Sequence, residues 1–95
     1  MKKKIIILGV TGSIGKSTLD IVKTFKDRFD IVGVSAHQNE ESMREICAQF
    51  EPKNVIFTNR KLEKTFNKSS YDGCSNFYFG SESFSDFLNI DFDLL

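Results

Sequence analysis

Gly9-Val10-Thr11-Gly12-Ser13-Ile14-Gly15 is the stretch that decides the fold; it lies between the apolar run Ile5-Ile6-Ile7-Leu8 and a helical pattern that starts near Ile14. A buried strand that passes through a glycine turn into a helix directs the free N–H groups of that helix towards one point. The positive end of the helix dipole stabilises an anion there by about 0.3–1 kcal/mol before any other contact forms. The stretch therefore predicts a phosphate-binding turn.

The three glycines of this turn have different expected tasks. Gly9 would let the chain leave the strand sharply, and Gly12 would let a pyrophosphate group reach the bare backbone. Gly15 would let the helix pack closely on the sheet. Ser13 is expected to cap the helix and to donate its hydroxyl to the same phosphate. These four residues are candidate cofactor contacts.

A competing interpretation of the turn is an ATP-binding P-loop, because Gly15-Lys16-Ser17 matches the end of that motif. The P-loop also needs glycine at position 10, where this chain has Val10, and Gly9 leaves one residue too many in the loop. The spacing Gly-x-x-Gly-x-x-Gly is instead close to the dinucleotide fingerprint, which usually has one residue between its first two glycines. We favour a dinucleotide, interpret Lys16 as a solvated helix residue, and keep a P-loop phosphotransferase as the alternative.

The remainder of the chain alternates short apolar runs with amphipathic segments, which predicts parallel strands connected by helices. The expected strands are Ile5–Leu8, Ile31–Val34, Val55–Phe57 and Phe77–Gly80. The expected apolar helix faces are Ile14, Thr18, Ile21, Val22 and Phe25 in the first helix and Met43, Ile46, Cys47 and Phe50 in the second, which Pro52 ends. The predicted fold class is α/β, a Rossmann-like doubly wound parallel sheet of which residues 1–95 form the incomplete N-terminal portion.

The second half of the chain has weaker patterns. A short helical segment would carry Leu62 and Phe66 on one face, and the polar residues 67–75 predict an exposed loop. A helix over 81–88 would bury Phe84, Phe87 and Leu88, and residues 91–95 would enter a further strand. We interpret Asp91 and Asp93 as solvent-facing residues rather than as metal ligands.

The segment from Ile7 to Asp20 closely resembles the start of the 1-deoxy-D-xylulose 5-phosphate reductoisomerase family. That family opens with Thr-Gly-Ser-Ile-Gly followed shortly by Thr-Leu-Asp, and these residues are Thr11 to Gly15 and Thr18 to Asp20 in this chain. The resemblance extends more loosely over the remaining residues. It implies that Thr11, Gly12, Ser13 and Ile14 line the pyrophosphate of NADPH, and that Gln38 and Asn39 lie nearer its adenosine end.

The resemblance also implies what a parent enzyme would do. Such an enzyme isomerises and reduces 1-deoxy-D-xylulose 5-phosphate to 2-C-methyl-D-erythritol 4-phosphate with NADPH, in the non-mevalonate pathway of isoprenoid biosynthesis. Its divalent metal, Mg or Mn, and its phosphorylated substrate would be held by residues outside this chain, so no catalytic or metal-binding residue is assigned here. The full-length enzyme would be a homodimer. A non-catalytic NADP-sensing module is the second alternative, because the chain lacks that active site.

The end of the second strand determines which cofactor is expected. An NAD-binding fold usually has a carboxylate there for the ribose hydroxyls, but this chain has Ser35-Ala36-His37-Gln38-Asn39. Without a carboxylate, the 2′-phosphate of NADP is not repelled, and Ser35, His37, Gln38 and Asn39 offer donors to it. The resembled family usually has Ala-Gly-x-Asn here, so His37 replaces a glycine, while Asn39 is also a candidate N-cap for the next helix. NADPH is therefore preferred over NADH.

Composition excludes several classes of partner. Lys and Arg total 13 and Asp and Glu total 13, so the chain has no net positive charge that would attract nucleic acid or an anionic membrane. The start Met1-Lys2-Lys3-Lys4 with its apolar run is too short for a secretory signal, and we expect a cytoplasmic protein. Cys47 and Cys74 are far apart in the sequence, which favours two isolated, reduced thiols over a disulfide or a zinc cluster.

Overall fold

A single parallel sheet carries the fold, and the computed structural model describes it through residues 2–89 and 92. Its strands pair in sequence order: β1 (Lys3–Ile7), β2 (Phe29–Ala36), β3 (Asn54–Phe57) and β4 (Asn76–Phe79). The helices are α1 (Ser13–Thr24), α2 (Glu40–Phe50) and the single turn α3 (Phe84–Phe87), with 3₁₀ turns at Arg60–Lys64, Lys68–Ser70 and Ser81–Ser83. All three strand pairings are parallel, so the carboxyl ends of the four strands meet at one edge.

The predicted α/β class and all four predicted strands are confirmed, with shifted boundaries. β1 ends at Ile7, and Leu8 lies in the following turn with 58% of its surface exposed, so the prediction of Leu8 as a strand residue is wrong. β2 is longer than its apolar run because it continues through Ser35 and Ala36, which are both buried. The strand predicted over 91–95 lies outside the described residues, apart from Phe92, which has no regular structure.

The face of α1 that packs on the sheet differs from the predicted one. Gly15, Leu19 and Val22 are the buried residues of this helix. Ile14, Ile21 and Phe25, which were expected in the core, are 84%, 56% and 47% exposed. Both sets have helical spacing, and the close approach of Gly15 to the glycine turn determines which of them faces inward.

The second helix agrees with its prediction. Met43, Ile46 and Cys47 are buried, and Phe50 packs against the same core. The Asn39 side chain caps α2 by accepting a hydrogen bond from the Ser42 backbone N–H at 3.1 Å. The helix ends at Phe50, ahead of Pro52, as the sequence indicates.

An aromatic cluster covers one side of β3 and β4, and the sequence did not indicate it. Rings of Phe57, Phe66, Tyr71, Phe77 and Phe79 lie with centroids 4.9–6.5 Å apart, in the range of favourable aromatic pairs. Tyr71 is 3% exposed, so the prediction of a wholly exposed loop over 67–75 is wrong at this residue. Burial raises the pKa of Tyr71 to about 12.

The last described helix is shorter than predicted. The chain over Ser81–Phe87 forms one 3₁₀ turn and one α turn, and of the three apolar residues expected inside it Phe87 is fully buried. Phe84 is half-buried and contacts the Phe87 ring with centroids 5.8 Å apart. Leu88 is 43% exposed, which corrects its prediction as a core residue.

The two cysteines are close in space although they are distant in the sequence. Cys47 on α2 and Cys74 before β4 lie close enough for each thiol to influence the pKa of the other, so the expectation of isolated thiols is wrong. Burial raises the pKa of both thiols above the ordinary value, and they are therefore protonated at neutral pH. Both are free cysteines in the structure.

Among residues 2–89 and 92, no helix combines the length and the apolar character needed to cross a membrane.

Candidate functional site

The carboxyl edge of the sheet brings together the residues that the sequence singles out. We define this edge by the segments that follow the four strands: residues 8–13 after β1, 37–39 after β2, 58–60 after β3 and 80–82 after β4. In parallel α/β sheets, ligands bind outside the carboxyl ends of the strands. The glycine turn and the pair Gln38 and Asn39, predicted separately, both lie here.

Ser35 fastens the glycine turn to β2. The Gly9 backbone N–H donates to Ser35 Oγ at 2.9 Å, and the Val10 N–H donates to the Ser35 carbonyl at 2.8 Å. Ser35 is 4% exposed, so its hydroxyl holds the turn rather than reaching a 2′-phosphate as predicted. In the sequence, this structural role of Ser35 is indicated by a single serine at the otherwise apolar end of β2.

Gly9 is required by the backbone itself. Its φ of +62° lies in the left-handed region, which glycine adopts without the steric penalty of a side chain. The sharp exit from β1 that the sequence predicts is therefore present. The turn closes with a hydrogen bond from the Gly12 N–H to the Gly9 carbonyl at 3.0 Å.

Gly12, in contrast, is not required to be glycine by its backbone angles or by its packing. Its φ of −82° and ψ of 175° are open to any residue, and a Cβ built there would meet its nearest neighbour, Gly9 O, at 3.4 Å. That distance is an ordinary van der Waals contact. The residue is also exposed, so the bare backbone at Gly12 leaves room for a group that approaches from outside.

Gly15 is constrained by packing. A Cβ built on Gly15 would lie 2.5 Å from Gly9 O, 2.6 Å from Val10 Cα and 2.7 Å from the Val10 carbonyl carbon. These are backbone atoms of the turn that Ser35 holds, so moving them to make room for a side chain would cost stability. Gly15 therefore lets α1 lie directly on the glycine turn, as a close-packing glycine is expected to do.

The start of α1 is uncapped, and the predicted cap is wrong. Gly12 occupies the N-cap position and makes no side-chain bond, while Ser13 is the first helical residue and is exposed. No described residue accepts a hydrogen bond from the backbone N–H groups of Ser13, Ile14 and Gly15. Together with the half-buried Thr11, this helix end offers several donors beside the bare backbone of Gly12.

Two side-chain pairs connect the end of β2 to the end of β3. His37 Nδ1 lies 2.8 Å from Thr58 Oγ1, and Asn59 Nδ2 donates to Gln38 Oε1 at 2.7 Å. The Asn59 backbone N–H also donates to the His37 carbonyl at 3.0 Å. Sequence reasoning missed Thr58 and Asn59, because pairing between neighbouring parallel strands is needed to place them here.

The geometry of Lys16 argues against a P-loop. In that motif the glycine-rich loop extends to the Gly-Lys pair, where the helix begins. Here α1 already begins at Ser13, and Lys16 is exposed on the side of the helix. The interpretation of Lys16 as a solvated helix residue agrees with this position.

A metal centre does not form in the part of the chain that is described, where no group of three His, Cys, Asp or Glu side chains could hold an ion. Asp91 and Asp93, for which the sequence raised the question, lie outside the described residues.

Strand, glycine turn and helix in this arrangement are the first unit of a Rossmann-type α/β domain, which is the class of protein that the fold defines. A family model described as 1-deoxy-D-xylulose 5-phosphate reductoisomerase matches residues 5–93. The chain therefore belongs to the 1-deoxy-D-xylulose 5-phosphate reductoisomerase family, as the resemblance of its glycine turn predicts.

Curated relatives carry the same name. A 1-deoxy-D-xylulose 5-phosphate reductoisomerase of Thermoanaerobacter sp. (strain X514) is 51% identical over 53 residues, which are 56% of this chain and 14% of the relative. A second, from Acinetobacter baumannii (strain AYE), is 45% identical over 62 residues, or 65% of this chain and 16% of the relative. The matched part thus spans about a sixth of the length of these relatives or less.

Solved structures share the fold. A 1-deoxy-D-xylulose 5-phosphate reductoisomerase from Zymomonas mobilis in complex with NADPH has a TM-score of 0.79 at 23% identity, over 90% of this chain and 23% of that one. A DOX-P reductoisomerase in complex with NADPH, fosmidomycin and magnesium has a TM-score of 0.73 at 23% identity, over 90% of this chain and 21% of that one. At 23% sequence identity, the structural similarity establishes that this chain shares their fold.

Proposed function

We propose that residues 1–95 are the N-terminal NADPH-binding portion of a 1-deoxy-D-xylulose 5-phosphate reductoisomerase. The observation that carries the proposal is Gly12, a glycine that neither its backbone angles nor its packing requires, placed at the uncapped start of α1. A residue without a side chain at this point is explained by a ligand that approaches the backbone. Membership of the family and the NADPH present in a structure of the same fold support this choice of ligand.

The pyrophosphate would lie on the segment from Thr11 to Ile14. The N–H groups of Ser13 and Ile14 would donate to its oxygens, and the Ser13 hydroxyl is exposed and free of a capping role. Gly9 and Gly15 would shape the turn, the first through its left-handed backbone and the second through its contact with Val10. Hydrogen bonds from a protein to a charged group contribute about 1.5–3 kcal/mol each, so this short segment can supply much of the affinity.

The adenosine end would lie over the end of β2, beside Gln38 and Asn39. Asn39 caps α2 through Oδ1, which leaves its amide N–H₂ group for the ligand. Gln38 is held by Asn59 through Oε1, so its own amide N–H₂ group is likewise available. No Asp or Glu occurs over 35–39, so we propose NADPH rather than NADH.

The reaction of the whole enzyme is also a proposal. NADPH would supply the hydride that reduces the rearranged sugar phosphate, giving 2-C-methyl-D-erythritol 4-phosphate for isoprenoid biosynthesis. This chain would bind and orient the cofactor, whereas the catalytic groups, the Mg or Mn ligands and the phosphate contacts of the substrate would belong to other parts of the enzyme. We further propose a cytoplasmic homodimer that acts on a small phosphorylated substrate and binds neither nucleic acid nor a membrane.

Calorimetric titration of the 95-residue chain with NADPH, NADH and ATP–Mg tests the proposal. We expect NADPH to bind in the low micromolar range, NADH to bind more weakly, and ATP–Mg to give no measurable heat. Far-UV circular dichroism before each titration verifies that the chain is folded. Tight ATP–Mg binding would restore the P-loop alternative, and a folded chain that binds no dinucleotide would overturn the proposal.

A further inference from the structure

The proposed adenosine site lacks a cation on β2 and its loop. The segment 29–43 contains no Lys or Arg, and Glu40 and Glu41 follow Asn39 directly. A phosphate monoester carries about −1.5 to −2 charges at neutral pH and is normally met by a cationic side chain. A chain that prefers NADPH therefore needs a positive group from a neighbouring strand.

Arg60 lies where such a group is needed. It directly follows Asn59, whose backbone and side chain are hydrogen-bonded to His37 and Gln38. β2 and β3 are paired neighbours, and adjacent strands are about 4.8 Å apart, less than the length of an extended arginine side chain. The Arg60 side chain is 72% exposed, so it is free to reorient above the carboxyl edge.

In the structure the Arg60 guanidinium is turned towards β4 by Glu82. Arg60 Nη1 donates to Glu82 Oε1 at 2.6 Å, and the Glu82 side chain is 54% exposed. The Glu82 carboxylate lies over Gly80 at the end of β4, since a Cβ built on Gly80 would be 2.5 Å from Glu82 Oε2. Exposed ion pairs contribute little to stability, whereas a phosphate offers a guanidinium two parallel, charge-assisted hydrogen bonds.

We propose that Arg60 binds the 2′-phosphate of NADPH by leaving Glu82, and that this exchange determines the preference for NADPH over NADH. The inference rests on the proposed function, because it assigns a specificity residue within the same cofactor site. Glu82 then acts as a competing acceptor that holds the guanidinium near the site while the cofactor is absent.

Two substitutions with opposite expected effects test this exchange. Arg60→Met should weaken NADPH binding by about 10- to 100-fold and leave NADH binding unchanged, because NADH lacks the phosphate. Glu82→Gln should release the guanidinium and tighten NADPH binding by up to about fivefold, again without an effect on NADH. Dissociation constants of both dinucleotides, measured by calorimetry on each variant, give the ratio directly.

Two matched controls separate the role of Arg60 from a general effect of charge. Arg28→Met also removes an arginine side chain, but at the opposite edge of the sheet, because Arg28 directly precedes β2. Arg28 Cζ lies 5.7 Å from the centre of the Phe25 ring. Lys61→Met removes the neighbouring cation of the same turn. In both variants the ratio of the dissociation constants for NADPH and NADH should equal that of the unmodified chain.

The outcomes distinguish this inference from the function on which it rests. If the unmodified chain binds neither dinucleotide, the proposed function fails. If the unmodified chain prefers NADPH but Arg60→Met retains the preference, or Lys61→Met alone loses it, Arg60 is not the phosphate ligand and the inference is overturned.

Discussion

Replacing Gly12 with valine is expected to weaken NADPH binding by at least about 100-fold while the chain remains folded. The branched side chain would project into the space above the turn, and the pyrophosphate could no longer reach the N–H groups at the start of α1. The loss of two charge-assisted hydrogen bonds at about 1.5–3 kcal/mol each accounts for an effect of this size. Valine tolerates the extended backbone of residue 12, and as an N-cap it should cost about 1 kcal/mol of stability or less.

For Gly12→Val, circular dichroism measures whether the chain is folded, and calorimetry measures the affinity for NADPH. Ser17→Val is the matched control, because it adds the same side chain to an exposed position further along α1. That variant should bind NADPH normally. Near-normal NADPH binding by Gly12→Val would mean that the cofactor does not lie on the glycine turn.

Replacing Gly15 with alanine is expected to destabilise the fold by about 3 kcal/mol or more. The new methyl group would overlap backbone atoms of Gly9 and Val10 at 2.5–2.7 Å, and Ser35 holds that backbone in place. Helix propensity acts in the opposite direction, since alanine in a helix is favoured over glycine by about 1 kcal/mol. The sign of the measured change therefore decides whether the close contact exists.

Thermal unfolding provides this measurement. For a domain of this size, 3 kcal/mol corresponds to a fall in Tm of about 12 °C or more. Gly12→Ala is the control, because the same substitution three residues earlier places a Cβ at 3.4 Å from Gly9 O and should lower Tm by no more than about 4–8 °C, the effect of a changed N-cap. A Gly15→Ala variant as stable as the unmodified chain would show that α1 does not lie directly on the turn.

The positions and the parallel direction of the strands could be predicted because they depend on local patterns. Four apolar runs separated by amphipathic segments indicate a parallel sheet, and the glycine spacing indicates which turn begins the first helix. Asn39 as the cap of α2 also follows from the residues around it, since Glu40 and Glu41 come next in a helical pattern. These features require no knowledge of what lies across the sheet.

The features that could not be predicted depend on contacts between distant residues. Both faces of α1 have helical spacing, and the three-dimensional contact of Gly15 with Val10 decides between them. Ser13 cannot cap α1 because the extended Gly12 takes that position. Ser35 and Tyr71 were assigned to solvent or ligand, but each is buried by a partner from another part of the chain.

The most direct test of the account is an NMR titration of the ¹⁵N-labelled chain with NADPH, because it locates the cofactor residue by residue. The amide signals of Gly12, Ser13 and Ile14 should shift most, followed by those of Gln38 and Asn39. Arg28 and Lys53, which precede β2 and β3 at the opposite edge of the sheet, should not shift. Shifts centred on Arg28 and Lys53, with the glycine turn unaffected, would contradict the assignment of the carboxyl edge as the NADPH site.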